Sequence, residues 1–211
     1  MKKHQFIRAF ITSILSLFIA SLTLVFFNGY IKNPALASVM AYLIMTPIFI
    51  IKERKYLKKC IKDFKYSKDQ IINIVLYSAL FIVLANFLNQ TLQFITHTTP
   101  TNNDILISQV FENKILILQI ILLAPILEEL IFRAPYQGIT KHKLLVYIFY
   151  SVTFASVHLL NVDSFINYIY FFPYFLLALG IGFSFYKTNN ILLSIIVHII
   201  NNLLEIMLLF I

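Results

Sequence analysis

Residues 115–133 read ILILQIILLAPILEELIFR, a long apolar run that ends in three charged side chains. A helix of about 20 residues spans the hydrocarbon core of a bilayer, because that core is about 30 Å thick and each helical residue adds about 1.5 Å. Membrane-spanning strands instead alternate apolar and polar residues over about 10 positions, and this run does not alternate. The stretch therefore predicts a membrane helix with charge at one end.

The rest of the chain has the same character. Of its 211 residues, 60% are hydrophobic and 12% are charged, whereas soluble domains have about 45–50% and about 25%. We predict an all-α membrane protein, a polytopic bundle of about seven transmembrane helices that forms a single domain over 1–211, with the motif-bearing part at about 114–211. The helices are predicted at 6–27, 34–51, 70–95, 114–134, 143–160, 165–186 and 190–211.

The net charge of +8 comes mainly from short connectors between the apolar segments. One connector carries Lys52, Arg54, Lys55, Lys58, Lys59, Lys62, Lys65 and Lys68. The positive-inside rule predicts that this connector and the amino terminus are cytoplasmic, and that the Thr/Asn-rich connector at 98–104 is outside. We predict a multi-pass protein of the cell membrane, in contact with the lipid bilayer and with no nucleic-acid partner.

Among the polar side chains inside the predicted helices of the carboxyl-terminal half, six are candidates for a functional site: Glu128, Glu129, Arg133, His158, His198 and Asn202. A charged group near the bilayer centre costs at least about 2.5–3.5 kcal/mol, so such residues suggest function. Residues four apart share a helix face, which pairs Glu129 with Arg133 and His198 with Asn202. Glu128 is turned about 100° away from the Glu129 face.

Each residue taken singly also has a structural interpretation. A Glu–Arg pair near a helix end often anchors the helix at the interface, and a lone His or Asn often only bonds a neighbouring helix. Taken singly, we favour that interpretation for the pair Glu129 with Arg133 and for Asn86, Asn89 and Asn201. We expect Glu205 to snorkel at the outer end. A carboxylate, two imidazoles and an amide on three helices are different, because together they can bind and activate a water.

These residues form three motifs in order and on separate helices: Glu128-Glu129 with Arg133, Phe154 with His158, and His198 with Asn202. The pattern resembles the CPBP family of intramembrane proteases, which includes the CAAX-processing endoproteases and the bacterial Abi proteins. The family pattern is Glu-Glu-x-x-x-Arg, then Phe-x-x-x-His, then His-x-x-x-Asn or a similar residue. The resemblance covers roughly the carboxyl-terminal half and departs from the family at Ala134, where many members have Gly.

Hydrolysis of an amide needs a base, a positioned water and a stabiliser for the oxyanion. In our hypothesis, which the resemblance supports, Glu128 is the base and His158 orients the water. His198 and Asn202 donate hydrogen bonds to the oxyanion. Glu129 and Arg133 hold the side chains of the site in place. A zinc site at Glu128, His158 and His198 is the alternative. Because no His-Glu-x-x-His is present, we predict no obligatory metal.

The resemblance implies a membrane-associated peptide or protein substrate. CAAX-processing relatives cut prenylated tails, and bacterial relatives are associated with peptide maturation, secretion and self-immunity to bacteriocins. The abundance of Ile, Lys, Asn and Phe is typical of an A/T-rich bacterial genome, so we favour a peptide or peptide precursor.

Two other functions fit the composition. One is a non-enzymatic immunity or scaffold protein of the membrane. The other is a small transporter, which is disfavoured because the chain has only 4 Gly for a fold that breaks its helices at a central site. The sequence makes no prediction of oligomeric state.

Overall fold

The computed structural model describes residues 3–97, 109–110, 112–160 and 165–208, and within these ranges it contains helices and no strands. The connector predicted at 98–104 lies outside the described residues. The helices are α1 (Lys3–Tyr30), α2 (Pro34–Lys52), α3 (Arg54–Lys62), α4 (Lys68–Thr96), α5 (116–132), α6 (Lys143–His158), α7 (Phe171–Thr188) and α8 (Ile191–Leu208). Short 3₁₀ segments at Ala134–Tyr136 and Phe165–Tyr170 follow α5 and precede α7.

The predicted helical membrane bundle is confirmed, and each of the seven predicted segments contains a helix. Within the described ranges, four stretches are long and apolar enough to cross a membrane by length and composition. They are α1, α2, α4 and Phe165–Thr188. Helices α6 and α8 are apolar but shorter, and α5 is irregular. The amino-terminal spans expose large apolar side chains along their outer faces, as lipid contact requires.

The basic connector contains a helix, α3, that the sequence analysis did not predict. Its apolar side is buried at Tyr56 and Cys60, whereas its lysines are exposed. The Tyr56 hydroxyl donates to the carbonyl of Asn189 at 2.9 Å, and Asn190 donates to the carbonyl of Cys60 at 2.9 Å. Burial raises the pKa of Tyr56 well above its usual value, so the hydroxyl keeps its proton. Helix α3 is thereby fixed to the turn between α7 and α8.

Helix α7 lies at the centre of the bundle and contacts α4, α6 and α8. Two of its glycines permit close approach on different sides. A Cβ at Gly180 would lie 3.0 Å from the carbonyl oxygen of Ser78 in α4. A Cβ at Gly182 would lie 2.8 Å from the Tyr150 ring in α6. Because there is no room for a side chain at either position, both glycines set the spacing of the helices.

Helix α5 changes its hydrogen-bond register inside the bundle. It consists of Leu116–Leu118, a π-helical segment Gln119–Leu123 and a second α-helical part, Ala124–Phe132. The N–H of Ala124 bonds the carbonyl of Gln119, five residues back. In that register the carbonyl of Ile120 would need the N–H of residue 125, which is a proline and has none.

The carbonyl that Pro125 leaves without a helical donor is bonded by a side chain instead. The amide nitrogen of Asn202 in α8 donates to the Ile120 oxygen at 2.8 Å. The proline thus creates an acceptor inside the bundle, and this acceptor fixes one of the predicted site residues. A π segment of this kind is often found at functional sites.

Candidate active site

A cavity of about 230 Å³ lies between α2, α5, α6, α7 and α8. Four of the predicted residues line it: Glu128, His158, His198 and Asn202. The structure therefore brings together a carboxylate, two imidazoles and an amide from three helices. Glu129 and Arg133 do not line the cavity and lie behind its wall.

The Glu129–Arg133 pair is completely buried, so it is not an anchor at the membrane interface. The guanidinium group donates to the Glu129 carboxylate and, at 3.2 Å, to the carbonyl of Ala178. It also lies over the rings of Tyr150 and Phe154, 5.4 and 5.3 Å from their centroids. The carboxylate therefore has its counter-ion enclosed with it, which is what allows a charge to be buried there.

His198 connects the two adjacent glutamates. Its Nδ1–H donates to Glu129 Oε1 at 3.0 Å, and its Nε2 lies 3.8 Å from Glu128 Oε2. Glu129 is therefore shared between Arg133 and the imidazole, whereas the Glu128 side chain is 21% exposed and borders the cavity. The two carboxylates thus have different environments although they are neighbours in sequence.

The His158 ring is fixed on two sides. Its Nδ1–H donates to the carbonyl of Phe154 at 2.9 Å, and the ring stacks on Phe154 and on Tyr174 at centroid distances of 4.3 and 4.9 Å. A neutral imidazole that donates through Nδ1 has an acceptor at Nε2. Phe154 of the second motif thus positions its histidine through both its ring and its carbonyl.

The Asn202 amide is held by two neighbours. It donates to the Ile120 carbonyl and accepts from the amide of Asn201 at 3.1 Å. An amide nitrogen carries two hydrogens, so a second N–H can serve a ligand. Asn201 also donates to Glu205 Oε1 at 2.9 Å. Glu205, which we expected to snorkel, instead lines the cavity.

Sequence reasoning missed two polar groups of the cavity wall, Tyr42 and Gln119, and assigned a third, Glu205, to the outer end of its helix. Gln119 gave a signal, because it is the one polar side chain in the run 115–127. Tyr42 gave none, because it belongs to a helix without a motif and tyrosines are abundant in the chain. Only the packing of α2 against α5 brings it to the site.

A metal was the alternative to a water activated by protein groups alone. Among the residues that the structure describes, no group of three or more His, Cys, Asp or Glu side chains is arranged to hold a metal ion. The set Glu128, His158 and His198 thus does not form such a group, although all three line the cavity. We therefore derive no step through a metal.

The fold and the cavity define a helical membrane protein with a polar site between its helices. Residues 110–204 match a family model whose description is type II CAAX prenyl endopeptidase Rce1-like. This match over part of the chain is consistent with the CPBP/CAAX protease family, and the resemblance predicted from the motifs is confirmed. The match supports intramembrane endopeptidase activity. No curated protein and no solved structure matches the chain.

Proposed function

We propose that this protein is an intramembrane endopeptidase that hydrolyses a peptide bond of a membrane-associated peptide or protein with a water activated by Glu128. The observation that carries the proposal is the convergence of Glu128, His158, His198 and Asn202 on one cavity. The Rce1-like match over 110–204 includes all four residues and adds independent support.

Glu128 suits the role of base better than Glu129. The Glu129 carboxylate is already bound by Arg133 and His198, whereas Glu128 borders the cavity. A water can donate one hydrogen to Glu128 and the other to Nε2 of His158, which leaves its lone pair for the substrate carbonyl. Glu128 then takes the proton as the new C–O bond forms, and returns it to the nitrogen of the leaving amine when the C–N bond breaks.

His198 and Asn202 supply the donors for the oxyanion. Asn202 has its second N–H, and His198 in its protonated form donates through Nε2 while Nδ1 stays bonded to Glu129. Removal of one such donor costs about 10²–10³ in kcat in other hydrolases. Glu129 and Arg133 act through His198, so they are positioning residues.

The finer features of the proposal follow from the sequence. We expect the amino terminus in the cytoplasm of a bacterial cell, a peptide or peptide precursor as substrate, and a role in peptide maturation or in bacteriocin self-immunity. No obligatory metal is proposed, so cleavage should continue in the presence of a chelator. Loss of activity with the chelator and its recovery with zinc would favour the metal-assisted alternative.

The test compares membrane and secreted peptides, by mass spectrometry, from cells that carry wild-type protein, Glu128→Gln or Glu112→Gln. Glu112 is an exposed residue outside the cavity and serves as the matched control. We expect a peptide that is trimmed with wild type and with the control and left intact with Glu128→Gln. Full biological function of Glu128→Gln would overturn the proposal and favour a non-enzymatic immunity or scaffold protein.

A further inference from the structure

Gln119 is a buried polar residue in the cavity wall that the proposed mechanism does not use. Only 2% of its surface is exposed, and its Oε1 has no hydrogen-bond partner among the described residues. A buried acceptor that lacks a partner costs about 1–3 kcal/mol of stability in typical proteins. Such a group in a native structure needs an explanation, and a water, ion or ligand bound in the cavity would provide one.

The π-helical segment is what brings Gln119 to the side of α5 that carries Glu128. The two residues are nine apart, which on a regular α-helix would separate them by about 180°. A π turn holds about one residue more than an α turn and so reduces this angle to about 80°. Both residues accordingly line the same cavity. The π-helical segment, which Pro125 favours, thus has two effects. It places Gln119 in the cavity wall, and it leaves the Ile120 carbonyl free for Asn202.

A peptide inside a membrane site needs the type of group that Gln119 offers. Lipid supplies no hydrogen-bond partner, so the site must satisfy the backbone N–H and C=O groups of an extended substrate. His198 and Asn202 offer donors for a carbonyl, and Glu128 is committed to water. Gln119 adds a neutral acceptor once its amide, whose Oε1 is covered in the protein without ligand, turns toward the cavity, and an acceptor is the complement of a backbone N–H.

We infer that Gln119 is a substrate-binding residue whose Oε1 accepts a hydrogen bond from a backbone N–H of the peptide, next to the bond that is cleaved. The inference rests on the proposed function and extends it to the recognition of the substrate. The inference leads to two linked expectations, because the acceptor that binds the peptide lowers the stability of the protein when no peptide is bound.

The first measurement is thermal stability. Gln119→Met keeps the length of the side chain and removes the acceptor, so the melting temperature of the purified protein should stay the same or rise. Gln90→Met, on the exposed face of α4, is the matched control. A melting temperature of Gln119→Met clearly below that of wild type and control would mean that Gln119 has a structural role, and the inference would be wrong.

The second measurement is peptide binding in the Glu128→Gln background, which separates recognition from cleavage. The probes are a fluorescent apolar peptide and its farnesylated form, each with single backbone amides replaced by esters, which lack the N–H. We expect Gln119→Met to weaken binding about 3- to 10-fold, the effect of one hydrogen bond. In the protein with Gln119, the ester at one position of the peptide should weaken binding as much as Gln119→Met does. In the Gln119→Met variant, the same ester should have no effect on binding.

The outcomes distinguish the two proposals. Equal affinity with and without Gln119 would overturn the inference and leave the peptidase proposal intact. Binding that depends on Gln119, together with no cleavage of any bound peptide by the wild type, would support the binding role and count against the peptidase. No binding of either probe to the protein with Gln119 would count against the inference, whereas the peptide comparison in cells would still decide the peptidase proposal.

Discussion

At the scale of single residues, the important contrast is between two adjacent glutamates. Glu129 is fully buried with Arg133 as its counter-ion, and it also accepts a hydrogen bond from His198. Glu128, one position earlier, borders the cavity and lies 3.8 Å from the same imidazole. One carboxylate therefore fixes the histidine and the other is placed to act on a ligand.

The buried pair makes a prediction about stability. Arg133→Met should lower the free energy of unfolding by about 3–5 kcal/mol, because it leaves the Glu129 charge buried without its main partner. The double variant Glu129→Gln with Arg133→Met should recover much of this loss. Thermal melting in detergent measures both effects.

Arg54→Met, at an exposed position on α3, is the control for loss of a positive charge. A melting temperature of Arg133→Met equal to that of this control would contradict the interpretation of the pair. Failure of the double variant to recover would mean that the guanidinium acts mainly through its contacts with Tyr150 and Ala178.

At the scale of helices, the site depends on how closely α6 and α7 pack. Gly182 lies where a Cβ would be 2.8 Å from the Tyr150 ring and 3.1 Å from Nε of Arg133. The Tyr150 hydroxyl donates to the Gly182 carbonyl at 3.0 Å, so the two helices also share a hydrogen bond. Any side chain at this position must displace the residues that support the site.

Gly182→Ala should therefore lower stability by about 1–3 kcal/mol, the usual cost of overpacking. It should also reduce peptidase activity more than the change in stability explains, because Arg133 positions Glu129 and His198. Gly29→Ala is the matched control, since a Cβ there meets nothing within 4 Å. Similar stability and activity for the two variants would show that the α6–α7 contact is less important than the structure indicates.

The helices and the three motifs were predictable because apolar length and residue spacing are local properties. The connector helix α3 was not, because its burial depends on contact with Asn189 and Asn190, far away in the sequence. Gln119 was visible as a polar residue in an apolar run, but its placement beside Glu128 was not predictable, since regular helical spacing turns it away from Glu128. Pro125 was visible in the sequence, but its effect on the Ile120 carbonyl required the position of Asn202.

At the scale of the whole molecule, the basic residues predict one orientation in the membrane. Vesicles and a membrane-impermeant thiol reagent can test it, after Cys60 is replaced by Ser. A cysteine at position 65, next to α3, should react only in inside-out vesicles, and a cysteine at position 32 only in right-side-out vesicles. Both native residues are exposed lysines. The reverse pattern would place the amino terminus outside.

The cavity with Glu128 lies between five helices of the bundle, and the central claim is that a water in this cavity is activated by Glu128. The most direct measurement is cleavage of a peptide by the purified protein in liposomes, in water enriched in ¹⁸O, with wild type, Glu128→Gln and Glu112→Gln. We predict that wild type and Glu112→Gln give a product whose new carboxylate carries ¹⁸O, and that Glu128→Gln gives none. Cleavage by Glu128→Gln at the wild-type rate would contradict the account.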